Sequence, residues 1–117
     1  MNITIYGISS CDSVRKTRQW LDKAHISYTF SDVREDLPTQ TQYTRWYQSF
    51  GDALINKRST TYRNHKAQIN DALSEGEDGV VRVLAEYPTL MKRPLIEIDG
   101  EPTILGWQQA ALAQYIG

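Results

Sequence analysis

Cysteine is almost absent from this chain: among 117 residues there is one, Cys11. A single thiol excludes an intramolecular disulfide and a CxxC redox pair, and with only His25 and His65 beside it a Cys/His zinc site lacks ligands. No metal is expected, and any redox cycle has to borrow a second thiol. A surplus of charge of either sign is missing as well. Thirteen Lys and Arg against fourteen Asp and Glu leave a formal net charge of −1, so no global basic field draws nucleic acid or anionic lipid. No window approaches the roughly 20 apolar residues of a membrane span, and the opening MNITIYGISSCDSV has neither a basic n-region nor an apolar h-region. Together with the unpaired thiol, these absences set the expectation of a cytoplasmic protein with no membrane and no direct nucleic-acid partner. Linkers, internal repeats and low-complexity tracts are also lacking, so residues 1–117 read as a single domain. What is present suffices for a core: 40% of the residues are apolar, with three Trp and seven Tyr, a composition that excludes a disordered chain.

Hydrophobic periodicity divides the chain. Asn2 to Tyr6 alternates around Ile3 and Ile5 and stops at Gly7, the pattern of a short strand. From about Cys11 to Ala24 the period changes: Val14, Thr17, Leu21 and Ala24 recur at three- and four-residue steps, with Trp20 widening the stripe, as in an amphipathic helix. Ser27 to Val33 alternates again. The first third is therefore βαβ, whose strands are normally parallel with a right-handed crossover. Thr39 to Phe50 predicts a helix with Tyr43, Trp46, Tyr47 and Phe50 on one face, read as core packing. Ala67–Leu73 and Gly79–Tyr87 read as two short helices separated by the breaker Glu75-Gly76-Glu77-Asp78-Gly79. Leu95–Ile98 and Thr103–Leu105 flank Asp99-Gly100, a strong hairpin signal, and Pro102 confines the last strand to an edge or a bulge. A final helix spans Trp107 to Ile116. The order is βαβ, helices, ββα, an α/β chain with a mixed sheet and a helical insertion at about 38–90.

Cys11 falls between the first strand and the first helix. Unpaired backbone N–H groups and the positive end of the helix dipole meet there, and both favour thiolate over thiol. Arg15 returns to the same face one turn later and adds a positive charge, with Lys16 and Arg18 strengthening the local potential. Ser13 has two readings, a hydrogen bond to the thiolate or a cap for the helix start. Position i+3 from the cysteine is Val14, so the resolving thiol comes from glutathione, another protein or the substrate.

Two further stretches carry charge. In MKRPLI, Arg93 precedes Pro94 at the head of an apolar strand; the proline has no ladder N–H to give, and Arg93 is suited to hold an anion or carboxylate. In NKRSTTYR, Asn56, Lys57, Arg58 and Arg63 form a polar and basic cluster with two readings, a loop facing the Cys11 cleft or an ordinary solvated face. His25 and His65 read as surface residues.

YGISSCDSVRKTRQWL, LINKRSTTYR and MKRPLIEIDGEPTILGW together resemble the arsenate reductase (ArsC) family, most closely its YffB-like branch, with the Spx regulators as cousins. The resemblance spans nearly the whole chain. It implies a thioredoxin-like fold, with Cys11 as nucleophile, Arg15 and Arg93 as catalytic arginines and Pro94 in the cis form. Ser13, Asn56, Lys57, Arg58 and Pro94 then contact substrate or glutathione, the implied co-substrate, and no tightly bound cofactor is implied. Arsenate reductases of the family carry a histidine where Gly7 stands and a further arginine after the last strands, where ILGWQQA has none. That departure points away from arsenate and toward a glutathione-dependent thiol reductase. The Spx likeness implies an alternative, a transcriptional regulator that binds the RNA polymerase α subunit.

Overall fold

The computed structural model describes residues 1–117, which form two compact units: Met1–Val33 with Arg93–Gly117, and Arg34–Lys92. In the first, the alternation around Ile3 and Ile5 becomes strand β1 (Ile3–Gly7), with both isoleucines buried. Helix α1 (Asp12–Lys23) follows and buries Val14, Thr17 and Leu21, the stripe its period foretells; Ala24, expected in that stripe, is the exposed C-cap. Strand β2 (Thr29–Asp32) lies parallel to β1, with Ile5 beside Phe30 and Gly7 beside Asp32. It is shorter than the alternation of Ser27 to Val33 suggests.

The remainder of this unit is β3 (Leu95–Ile98), β4 (Glu101–Leu105) and helix α6 (Gln109–Tyr115). The sheet order is β2-β1-β3-β4, with β1 antiparallel to β3 and β3 antiparallel to β4, so the sheet is mixed as expected. Asp99 (φ 51°) and Gly100 (φ 81°) both take left-handed conformations, the requirement of a two-residue hairpin turn. Asp99 also ties the turn to the N-terminus, its Oδ1 accepting from the Asn2 N–H at 2.7 Å. Pro102 is accommodated twice over, on an edge strand and opposite Glu97 where the register shifts. Ile3, Ile5, Leu21, Ile96, Ile104 and Leu112 form the core on one face of the sheet, so α1 and α6 cover the same face. Each such side chain contributes roughly 1.5–3 kcal/mol by burial. Trp107, read as helical from its spacing with Ala111 and Tyr115, lies before α6 and packs against this core from the connecting segment.

The second unit is helical. Helix α2 (Gln40–Phe50) starts at a reciprocal capping box: Thr39 Oγ1 accepts from the Gln42 N–H, and Gln42 Oε1 accepts from the Thr39 N–H. Tyr43 and Trp46 are buried edge to face, ring centroids 5.7 Å apart. After a 3₁₀ turn at Gly51–Leu54 come α3 (Thr60–Asn64), α4 (Lys66–Ser74), α5 (Glu77–Glu86) and a second 3₁₀ turn at Pro88–Leu90. Two readings need correction. Half of NKRSTTYR, taken as a loop, is helical: Ser59 Oγ accepts from the Tyr62 N–H at 3.1 Å and starts α3, which has too few apolar residues to show a period. The run Glu75–Gly79 breaks the chain only at Gly76 (φ 79°), because α5 begins at Glu77. Gly79 is there for proximity: a Cβ at this position would stand 1.9 Å from the Ala72 carbonyl oxygen of α4.

Burial pushes the Tyr43 hydroxyl up to about 12 from its ordinary 10. Below pH 10 both folded and unfolded chains keep the proton; between 10 and 12 the unfolded chain ionises first, so stability falls as pH rises. Roughly 2–3 kcal/mol is at stake. Urea unfolding at pH 9 and pH 11.5 should show a smaller loss for Tyr43→Phe than for the unsubstituted protein. Equal losses would remove Tyr43 as a cause.

Candidate active site

β1 ends at Gly7, and the turn that follows is held from two sides. The Cys11 N–H donates to the Ile8 carbonyl at 3.0 Å, while the Ser9 N–H donates to Asp32 Oδ2 at 3.4 Å. The Val33 N–H reaches the Gly7 carbonyl at 2.9 Å, fastening the end of β2 to the same spot. Ile8 is buried and anchors the turn between these polar contacts. Asp32 was not singled out from sequence; the only clue was the parallel register that sets β2's last residue beside β1's last residue.

Cys11 occupies the N-cap of α1. Its backbone is extended (φ −77°, ψ 129°), its carbonyl accepts from the Arg15 N–H at 2.9 Å, and its side chain makes no capping bond. The half-buried sulfur is thus placed at the helix N-terminus without being consumed there. Such an end presents unpaired N–H groups and positive potential to an incoming anion. Ser13, one of whose readings was the helix cap, is the second residue inside the helix. Its carbonyl accepts from Thr17 Oγ1 at 2.9 Å, and its hydroxyl makes no hydrogen bond within the protein. Arg15 forms an ion pair with Asp12 across one turn, both largely exposed. Its charge near Cys11 is therefore shared with a neighbouring carboxylate.

Arg93 and Pro94 come to this end through the sheet. Tyr6 pairs with Leu95, so continuing the register sets Gly7 against Pro94, and the Cys11 turn and the head of β3 lie at one edge. The Arg93–Pro94 peptide bond is cis, as the family resemblance implies. The Pro94 carbonyl accepts from the Gly106 N–H at 2.7 Å, and Arg93 is half-buried with its Nε withdrawn from solvent. Cys11, Ser13, Arg15, Arg93 and Pro94 thus all belong to the sheet unit.

Asn56, Lys57 and Arg58 belong to the helical unit. Asn56 braces its own turn: its Oδ1 accepts from the Arg58 N–H at 3.1 Å, and its carbonyl accepts from the Ser59 hydroxyl at 2.7 Å. Its N–H donates to the Leu90 carbonyl at 2.9 Å. Lys57 and Arg58 are exposed.

Gly7 has a packing role that its sequence position does not reveal. A Cβ there would lie 2.5 Å from Val14 Cγ2, so the close approach of α1 to the end of β1 requires glycine.

Four similarities accompany this geometry. The sequence profile of the ArsC family matches residues 6–115. An uncharacterized protein of Haemophilus influenzae is 43% identical over 103 residues, covering 87% of this chain and 89% of its own. The regulatory protein MgsR of Bacillus subtilis is 28% identical over 113 residues, covering 94% of this chain and 86% of its own. Among solved structures, the YffB protein superposes with a TM-score of 0.88 at 28% identity, covering 98% of this chain and 99% of that one.

Gly7→Ala should cost about 1–3 kcal/mol in urea unfolding through the clash with Val14. Combined with Val14→Ala, the total cost should be at least about 1 kcal/mol below the sum of the single costs, because one clash is removed. Additive costs would deny the contact.

Proposed function

Since the chain belongs to the ArsC family and has its thioredoxin-like fold, we propose that it is a glutathione-dependent thiol oxidoreductase that works with one protein thiol. The observation that carries this reading is the placement of Cys11, a half-buried sulfur at a helix N-terminus that makes no capping bond. The Cys11 thiolate attacks the glutathionyl sulfur of a mixed disulfide. The substrate leaves as a thiolate and takes a proton from solvent, and Cys11 becomes glutathionylated. A second glutathione thiolate then attacks the glutathionyl sulfur, releasing the Cys11 thiolate and glutathione disulfide. Overall, the mixed disulfide and one glutathione become one substrate thiol and one glutathione disulfide: the substrate sulfur is reduced, the incoming glutathione is oxidised, and no second cysteine is required.

Arg93 and Pro94 would border the incoming glutathionyl group, Arg93 facing its carboxylates and Pro94 presenting backbone. Ser13, whose hydroxyl is uncommitted, is available to donate to the sulfur. In the helical unit, Lys57 and Arg58 are exposed cations suited to an anionic group, on a turn that Asn56 shapes. Gly7 in place of a histidine supports a thiol or disulfide substrate over arsenate.

A second reading rests on the likeness to MgsR: a regulator of the Spx kind that binds the RNA polymerase α subunit, with Cys11 incidental. Incubation with oxidised glutathione followed by mass spectrometry separates the two. A rapid single adduct on Cys11, absent from Cys11→Ser, supports the reductase. Capture of the α subunit's C-terminal domain by both forms, with no adduct, supports the regulator.

The ion pair allows a sharper test of Arg15. Asp12→Asn leaves Arg15 without a competing carboxylate and should raise the alkylation rate of Cys11 at neutral pH by about two- to fivefold, the size expected for one exposed charge. Arg15→Ala should lower it. Unchanged rates in both variants would remove Arg15 from the thiol's surroundings.

A further inference from the structure

Away from Cys11, the sheet unit carries a cleft of about 220 Å³ between α1 and the segment leading into α6, lined by Lys16, Gln19, Trp20, Lys23, Trp107 and Gln109. We propose that this cleft binds an acidic peptide segment of a partner protein. One apolar side chain of that segment enters between the indoles, and carboxylates on either side reach Lys16 and Lys23. The proposal is independent of the reaction at Cys11.

Charge is the first argument. No acidic residue lines the cleft, and neither lysine is ion-paired within the protein. The second is the aromatic floor. Trp20 and Trp107 are half-buried, packed from beneath by the Ile3–Leu112 core, and neither indole N–H has a hydrogen-bond partner within the protein. Two ammonium groups, two indole donors and two glutamine amides therefore surround an apolar floor, a set that suits carboxylates flanking an apolar group.

Spacing selects a peptide. Lys16 and Lys23 are two helical turns apart on one face, about 10 Å along the axis. Residues three apart on a polyproline II peptide share one face and lie about 9 Å apart. A segment with acidic residues at i and i+3 and an apolar residue between them matches both lysines and the floor. The cleft is smaller than the ~300–1,000 Å³ of ordinary small-molecule pockets and suits one side chain. The larger hollow on the other flank of α1 lacks this bias. It is lined by both Arg18 and Asp22, and Arg18 is already committed to the Tyr28 hydroxyl at 3.1 Å and the Phe30 ring at 4.2 Å.

The test is a proton–nitrogen NMR titration of the full chain with acetyl-Glu-Phe-Ala-Glu-amide. The indole resonances of Trp20 and Trp107 should move, and that of Trp46, buried in the helical unit, should not. The Lys16→Gln/Lys23→Gln double variant, altered only at exposed positions, should keep its spectrum and bind about tenfold more weakly. Absence of shifts at millimolar peptide, equal shifts with the Gln-Phe-Ala-Gln peptide, or unchanged affinity in the double variant would overturn the proposal. So would phenylacetate binding as tightly as the peptide, which would assign the cleft to a small aromatic acid.

Discussion

The register of β1 between β2 and β3 is the constraint on which the rest of the sheet unit depends. Parallel pairing on one side brings Asp32 and Val33 to the end of β1, and antiparallel pairing on the other brings Pro94 there. A slip of one residue would turn Ile3 and Ile5 out of the core and Tyr6 into it, because side chains alternate along a strand. The same slip would separate the Cys11 turn from Arg93. Core formation and site assembly are thus enforced by one set of hydrogen bonds, and the burial of Ile5 and Ile96 opposite each other holds that set in place.

From this frame follows the chemistry at Cys11. A residue at the N-cap has its backbone committed to the helix and its side chain outside the helical ladder. Ser, Thr, Asp or Asn there would usually turn back to bond the helix's own N–H groups; the cysteine here does not. A position normally used for helix stability is thereby left to the sulfur. Gly7 and Val14 complete the arrangement, since without a Cβ at Gly7 the helix can start close against the strand that carries the turn. Arg15, one turn into the helix, is paired there with Asp12.

Much of this was legible beforehand. The βαβ and ββα halves, the hairpin at Asp99-Gly100 and the stripe Val14–Thr17–Leu21 follow from periodicity and turn chemistry, both of which are local. Cys11 stood out because a strand signal ends just before it and a helix signal begins just after it. Helix α3 was missed because five residues are too few to show a period, and only the cap Ser59 marked it. Gly79 was misread because a glycine needed for close packing looks the same in sequence as one that ends a helix. Asn56 reads as a binding residue from its polar cluster, and the fold adds a local contact that sequence does not show, its Oδ1 accepting from the Arg58 N–H.

Local patterning was enough to determine the order of elements, the place of the only thiol and the apolar faces that meet in the core, since each depends on residues close together in the chain. Which groups come together was determined by contacts between distant segments. Asp32 arrives through parallel pairing and Pro94 through antiparallel pairing, and Trp107 comes alongside Trp20 to floor a lysine-rimmed cleft. Such neighbours are set by strand register and by helices packing on one sheet face, and these exist only once the chain has folded.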